Sequence, residues 1–259
     1  MKNFQFHRPK SVADAVALLR GSGEAKVLAG GQSLLPMLKL DMAQPDELIS
    51  LGGIAELRAI RVDGKSLLVG ALATHDEVAR QTTIKGLATM AAGIGDAQVR
   101  NRGTVGGAIS HADPAADYPA ALLALGATVA TDRRRIPADS FFTGLFQSAL
   151  EPDELVTAVH FPVPDRCAYV KFPHRASKYA VVGVMVAKTG STVRVAVTGA
   201  GPVAFRVPDM EAALGKRFAP EALDGITVSA AELSSDSEAS ADYRAHLIGV
   251  MARRAVASA

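Results

Sequence analysis

Ala25-Lys26-Val27-Leu28-Ala29-Gly30-Gly31-Gln32-Ser33 is the stretch on which the fold turns: a short strand that runs straight into a double glycine. Glycines at the end of a strand permit positive φ and leave no Cβ to obstruct an incoming ligand. Successive backbone N–H groups in such a turn can converge on an anion. A second glycine-rich turn follows at Arg102-Gly103-Thr104-Val105-Gly106-Gly107-Ala108, ahead of Asp113-Pro114. The hydroxyls of Ser33 and Thr104 add donors without adding charge. Taken singly, each turn is more often structural than ligand-binding. Together they suit a diphosphate held between two parts of one domain.

Neither turn is the dinucleotide fingerprint. Gly93-Ile94-Gly95 begins as G-x-G but carries Gln98 where the third glycine belongs, and Gly199-Ala200-Gly201 runs into Pro202. No Walker lysine motif occurs. A nucleotide cofactor here would bind outside the Rossmann and P-loop modes.

Outward from the first turn, Ser11 with Asp14 resembles a capping box, and Val12, Ala15, Val16 and Leu19 fall on one helical face. Leu48–Leu51 and Leu67–Ala71 read as strands. Thr74-His75-Asp76-Glu77 is a second capping box, and Asp113-Pro114 looks like an N-cap and first helical residue. That helix runs through Ala120–Leu125 and stops at Gly126. After about residue 155 the pattern changes. Leu155–Phe161, Ala168–Phe172, Val181–Ala187 and Val193–Thr198 are strand-like and closely spaced, which suggests an antiparallel sheet. Helical segments follow at Asp209–Lys216 and from about Asp242, with a polar loop at Ser234–Ser240 between them. The organisation expected is α+β, with one domain over 1–165 and a smaller one over 166–259.

Composition narrows the chemistry. Apolar residues make up 49% and charged residues 21% of 259, an ordinary globular mix. A net charge of +2, with Arg133-Arg134-Arg135 as the one dense basic run, does not describe a nucleic-acid surface. That run reads as a solvated turn or a contact with an acidic partner. One cysteine, Cys167, allows no internal disulfide and cannot by itself hold an iron–sulfur cluster or a thiolate zinc site. The histidines are scattered, and no metal site is expected. No apolar run approaches a membrane span of roughly 20 residues. The N-terminus lacks a signal peptide's apolar stretch, so the expected location is the cytoplasm.

Ala29–Pro36 and Gln98–Gly107 resemble the two FAD-binding signatures of the molybdenum hydroxylase medium subunits, the flavoprotein family of aerobic carbon monoxide dehydrogenase and xanthine dehydrogenase. Ser110–Asp117, Phe141-Phe142-Thr143-Gly144, Tyr169-Val170-Lys171-Phe172 and Tyr243–Leu247 are similar to the same family, so the likeness spans nearly the whole chain. It implies a vanillyl-alcohol-oxidase (PCMH) type FAD-binding domain of two subdomains, then a C-terminal domain with a three-stranded antiparallel sheet and helices. It also implies an electron-transfer subunit in a heterotrimer, or a dimer of heterotrimers. A large partner would bind the molybdopterin and hydroxylate the organic substrate, and a small one would carry two [2Fe–2S] clusters. Electrons would pass to the FAD and leave to an external acceptor.

By the same resemblance, Ala29, Gly30, Gly31, Gln32, Ser33 and Leu34 hold the FAD diphosphate with Thr104, Val105, Gly106, Gly107 and Ala108. Asp117 matches an acidic position that binds a cofactor hydroxyl, or else favours a helix dipole. Lys171 matches a position that approaches the flavin ring, or is a solvated lysine at a strand edge. Two departures are Gln32, where some relatives have histidine, and Ala108, where many have asparagine. With no histidine or cysteine in either turn, the FAD is expected to be non-covalent. No side chain is assigned a catalytic role, because the cofactor carries the redox chemistry. His111, beside the second turn, reads as a helix-entry histidine bonded to backbone rather than a base. Cys167 reads as an inert thiol. Two further readings stay open: a stand-alone flavin oxidase or reductase of this fold, and a binding protein that keeps the fold without FAD.

Overall fold

The computed structural model describes residues 2–259; Met1, where the N-terminal reading begins, lies outside the described residues. The chain opens with β1 (Gln5–His7), α1 (Val12–Gly21), β2 (Ala25–Leu28), α2 (Leu34–Lys39) and β3 (Glu47–Ser50). The three strands form a parallel sheet in the order β1-β3-β2, with Glu47 facing both Gln5 and Ala25. Parallel neighbours cannot be joined by a hairpin, so α1 and α2 carry the chain back across the sheet. Ser11 starts α1 by accepting the Asp14 amide at 3.1 Å. Ala15 and Val16 then face Ile49, Leu51 and Leu57, in a core that also takes in Leu72 and Leu155 from the next layer.

That layer comprises β4 (Ile60–Asp63), β5 (Ser66–Gly70), α3 (His75–Gln81), α4 (Lys85–Ala92), α5 (Ala97–Arg100), α6 (Val105–His111) and α7 (Tyr118–Leu125). It continues with β6 (Thr128–Thr131), β7 (Arg135–Pro137), the hairpin β8 (Phe142–Gly144) and β9 (Gln147–Ser148), and β10 (Val156–Pro162). The five-stranded sheet is antiparallel, in the order β4-β5-β10-β6-β7. Here the sequence expectation needs correcting. The Leu155–Phe161 strand does not join the later sheet but closes this one, with Ala158 facing Gly70 on one side and Ala130 on the other. Every residue of α7 is buried, so the helix has no solvent face and must be covered on both sides. Its stop at Gly126 is as expected, in the left-handed region. Its start is not. Asp113-Pro114 forms a turn, in which the Asp113 carboxylate accepts the Ala115 amide at 2.9 Å, and the helix begins at Tyr118.

Two arginines of the basic run are paired internally, and Arg135 is exposed. Arg133 reaches Asp153 at 2.9 Å and Arg134 reaches Glu154 at 2.7 Å.

The last part holds β11 (Arg166–Pro173), β12 (Ala180–Thr189), β13 (Thr192–Thr198), β14 (Phe205–Arg206), α8 (Pro208–Lys216) and α9 (Ala241–Ser258). Three long antiparallel strands carry the sheet, and two-residue β14 extends its edge. β12 is buried along eight successive residues, which period-two geometry explains. Val182, Val184 and Val186 face the core made with α8 and α9, while Met185 and Ala187 face the core that contains α7. Leu122 of α7 has no exposed surface. Leu122→Ala should therefore lower unfolding free energy by about 2–5 kcal/mol, read from a denaturant titration; a change within experimental error would remove α7 from the core.

Candidate cofactor-binding cleft

The two glycine turns meet. A Cβ on Gly30 would overlap the carbonyl oxygen of Arg102. Gly30 has ordinary φ, so the requirement is for close approach and not for backbone freedom. Gly31 does need the freedom, at φ +77°. On the opposite wall a Cβ at Gly106 would lie 2.6 Å from the Ala71 Cβ. Beside the joined turns opens a cleft of about 540 Å³, within the roughly 300–1,000 Å³ of small-molecule sites.

The turns differ in what their amides do. No acceptor among the described residues takes the N–H groups of Gly30, Gly31, Gln32 or Ser33. The second turn is the start of α6 rather than a loop, and its amides are engaged. Thr104 caps the helix by accepting the Gly107 amide at 3.2 Å, and the Ala108 amide bonds the Thr104 carbonyl. Val105 and Gly106 donate to Ala73 and Ala71 at 3.0 and 2.9 Å. The first turn is therefore the one with unpaired amides, and the second a wall kept thin by its glycines.

Ala29, Gly30, Gly31, Gln32, Ser33 and Leu34 line the cleft, as do Thr104, Gly106, Gly107, Ala108 and Asp117. Val105 does not: it is fully buried in the core. Lys171 also stands outside the lining, held by Asp117 at 3.0 Å. The Asp117 carboxylate makes no helix-cap bond; it accepts from Lys171 and from the Tyr169 hydroxyl. His111 is the last residue of α6, not a helix-entry residue, and its ring packs 5.2 Å from Phe146. Cys167 lies against Gly86, and burial pushes its thiol up.

The chain matches the family described as the FAD binding domain in molybdopterin dehydrogenase over residues 2–164, and the CO dehydrogenase flavoprotein C-terminal domain over 167–259. It belongs to this flavoprotein family. The carbon monoxide dehydrogenase medium chain of Hydrogenophaga pseudoflava is 38% identical, over 99% of this chain and 96% of that one. The nicotine 6-hydroxylase medium subunit of Paenarthrobacter nicotinovorans is 36% identical, over 98% and 96%. A solved carbon monoxide dehydrogenase from Hydrogenophaga pseudoflava superposes with a TM-score of 0.89 at 38% identity, covering 99% of this chain and 97% of that one. No helix among the described residues is long and apolar enough to cross a membrane.

In this member of the family the cleft also takes in residues that the sequence pattern does not single out, His75, Tyr118, Glu154 and Tyr179 among them. His75 is visible in sequence as part of the Thr74–Glu77 capping box, which is observed in full, but nothing local places its ring in the cleft. Its ring lies 5.4 Å from that of Tyr118, and neither the His75 Nδ1 nor the Tyr118 hydroxyl has a partner. Glu154 is held at about 2, chiefly by its hydrogen bond from Arg134. Burial, reinforced by the Arg100 charge, lowers His75 from 6.5 to about 4. A histidine kept neutral in the fold protonates more readily once unfolded. Its contribution is therefore present above pH 6.5 and lost as pH falls from 6.5 toward 4. Stability measured by urea titration should decline across that window, with His160, also lowered by burial, adding to the slope. His75→Gln should flatten the decline; an unchanged slope would show that His75 does not titrate with unfolding.

Proposed function

We propose that this chain is the FAD-carrying, electron-transferring subunit of a three-part molybdenum hydroxylase. The observation that carries the reading is the turn Gly30–Ser33, four successive amides without acceptors lining a mostly apolar cleft. A diphosphate supplies the acceptors that such a turn lacks. Gly30 and Gly31 keep the floor free of side chains, and Ala29, Gln32, Ser33 and Leu34 complete that wall. Thr104, Gly106, Gly107 and Ala108 form the facing wall, backed by the core residue Val105, and there absent side chains rather than free amides leave room for the cofactor. Asp117 also lines the cleft, with its carboxylate fixed by the Tyr169 hydroxyl and the Lys171 ammonium.

When bound, FAD supplies the redox chemistry, taking electrons from the [2Fe–2S] clusters of a small partner and passing them to an external acceptor. A large partner carries the molybdopterin and transforms the organic substrate. This chain's own residues bind, orient and shield, and none is assigned to proton transfer. The flavin is held without a covalent bond. His75 and His111 line the cleft, where the first packs its ring against Tyr118 and the second against Phe146. The single cysteine, with no disulfide possible, supports a place in the cytoplasm. The full-length likeness to medium chains favours this reading over a stand-alone flavin enzyme.

The purified chain should show a flavin absorbance spectrum, with the yellow colour released into the supernatant after acid precipitation. Gly30→Ala should weaken FAD binding at least tenfold, about 1.4 kcal/mol, and should also lower the thermal melt of the FAD-free chain, because the added Cβ would overlap the Arg102 carbonyl. A colourless chain that takes up no added FAD would overturn the proposal, and colour that stays in the acid pellet would overturn the non-covalent part.

A further inference from the structure

A buried cation sits where the parts of the molecule join, and the reading above gives it no task. Lys171 projects from β11, and its Nζ lies 3.0 and 3.1 Å from the two oxygens of Asp117, at the start of α7. It also donates to the carbonyl of Gly93, just past α4, at 3.0 Å, and to the carbonyl of Lys178 at 2.9 Å. An ammonium has three hydrogens, and three separate pieces of chain take them. Tyr169, two residues earlier on the same strand face, donates its one hydroxyl hydrogen to Asp117. Neither side chain has a hydrogen left to offer a ligand.

The third acceptor is the informative one. Residues 174–179 form the loop between β11 and β12, and Ser177, Lys178 and Tyr179 of that loop line the cleft. Lys178 holds a left-handed backbone, φ +64°, which a non-glycine residue adopts only at some energetic cost. The Lys171 ammonium bonds the carbonyl of that same residue, so it stabilises the conformation that turns the loop toward the cleft. Gly183 faces Lys171 across the strand pair, and a Cβ there would overlap the Tyr169 hydroxyl. The glycine leaves the space through which Tyr169 reaches Asp117.

Resting on the reading that the cleft holds FAD, we infer that Lys171 is a positioning residue: with Asp117 and Tyr169 it clamps loop 174–179 in place as a wall of the cleft, and it does not itself touch the cofactor.

The test uses the full chain stripped of FAD, so that it reads the clamp whether or not the cofactor proposal holds. Trypsin can cut the exposed loop after Arg175 and Lys178, and the distant β4–β5 hairpin after Lys65. In Lys171→Met, cleavage after Arg175 and Lys178 should accelerate at least tenfold, while cleavage after Lys65 keeps its wild-type rate. Removing one member of a buried ion pair leaves the other charge uncompensated and can unfold a protein. The double variant Asp117→Asn with Lys171→Met removes both charges and should show the same local acceleration at a near-wild-type melting temperature. In Lys171→Met reloaded with FAD, the flavin should dissociate several-fold faster. Faster flavin loss with unchanged loop cleavage would overturn the inference and make Lys171 a direct contact. Unchanged rates in both assays, or acceleration at Lys65 equal to that in the loop, would overturn it as well. A wild-type chain that takes up no FAD would instead sink the functional proposal and leave the protease result to stand.

Discussion

The contact between Gly30 and the Arg102 carbonyl is the constraint on which the cleft depends. A backbone can press on another backbone this closely only where a Cβ is missing. That contact brings the end of β2, in the small parallel sheet, against the segment that leads into α6. With the two segments joined, the turn with unsatisfied amides and the glycines of the second segment line one cleft. Gly103 and Gly106 extend the same logic: one lies under the His75 ring and the other against Ala71. The glycines of the second segment thus serve packing, although glycine is a poor helix former.

Signals that act over three or four residues were legible in the sequence. Ser11, Thr74 with Glu77, and Gly126 each sit where local capping rules put them, because their partners are close along the chain. The double glycines announced a place where side chains are excluded, and Gly30 and Gly106 fulfil that. Asp113-Pro114 misled for a tertiary reason. A helix starting there would spend the Pro114 carbonyl on the Tyr118 amide, but the Thr198 hydroxyl and the Gly199 amide take it at 2.8 Å each. The Thr198 hydroxyl also bonds the Ala116 carbonyl. Nothing within ten residues of Pro114 reveals that competitor.

Two other features were illegible for the same kind of reason. The alternation in Leu155–Phe161 shows that the strand is half-buried, and says nothing of which sheet will take it. Lys171 looks like a strand-edge lysine at the surface, yet its side chain is only 9% exposed, with Gly93 and Asp117, both more than fifty residues away, and Lys178 as its acceptors. Fold class and family are written in short motifs and their order along the chain. The pairing of distant polar groups is written in the packing, and only coordinates disclose it.

β12 carries a consequence of its own. Along one strand, Val184 belongs to the core of the C-terminal helices and its neighbour Met185 to the core around α7. Neither core can lose that strand and keep its lining, so melting one exposes apolar surface in the other. The two family segments are separable in sequence, at 2–164 and 167–259. In packing they share β12, one face of which lines each core. A polypeptide ending near residue 165 would expose the outer face of α7 to water, and one beginning there would expose the inner face of its own sheet. Each half acts as the other's solvent shield, so the natural grain of the molecule lies across the boundary that its sequence suggests.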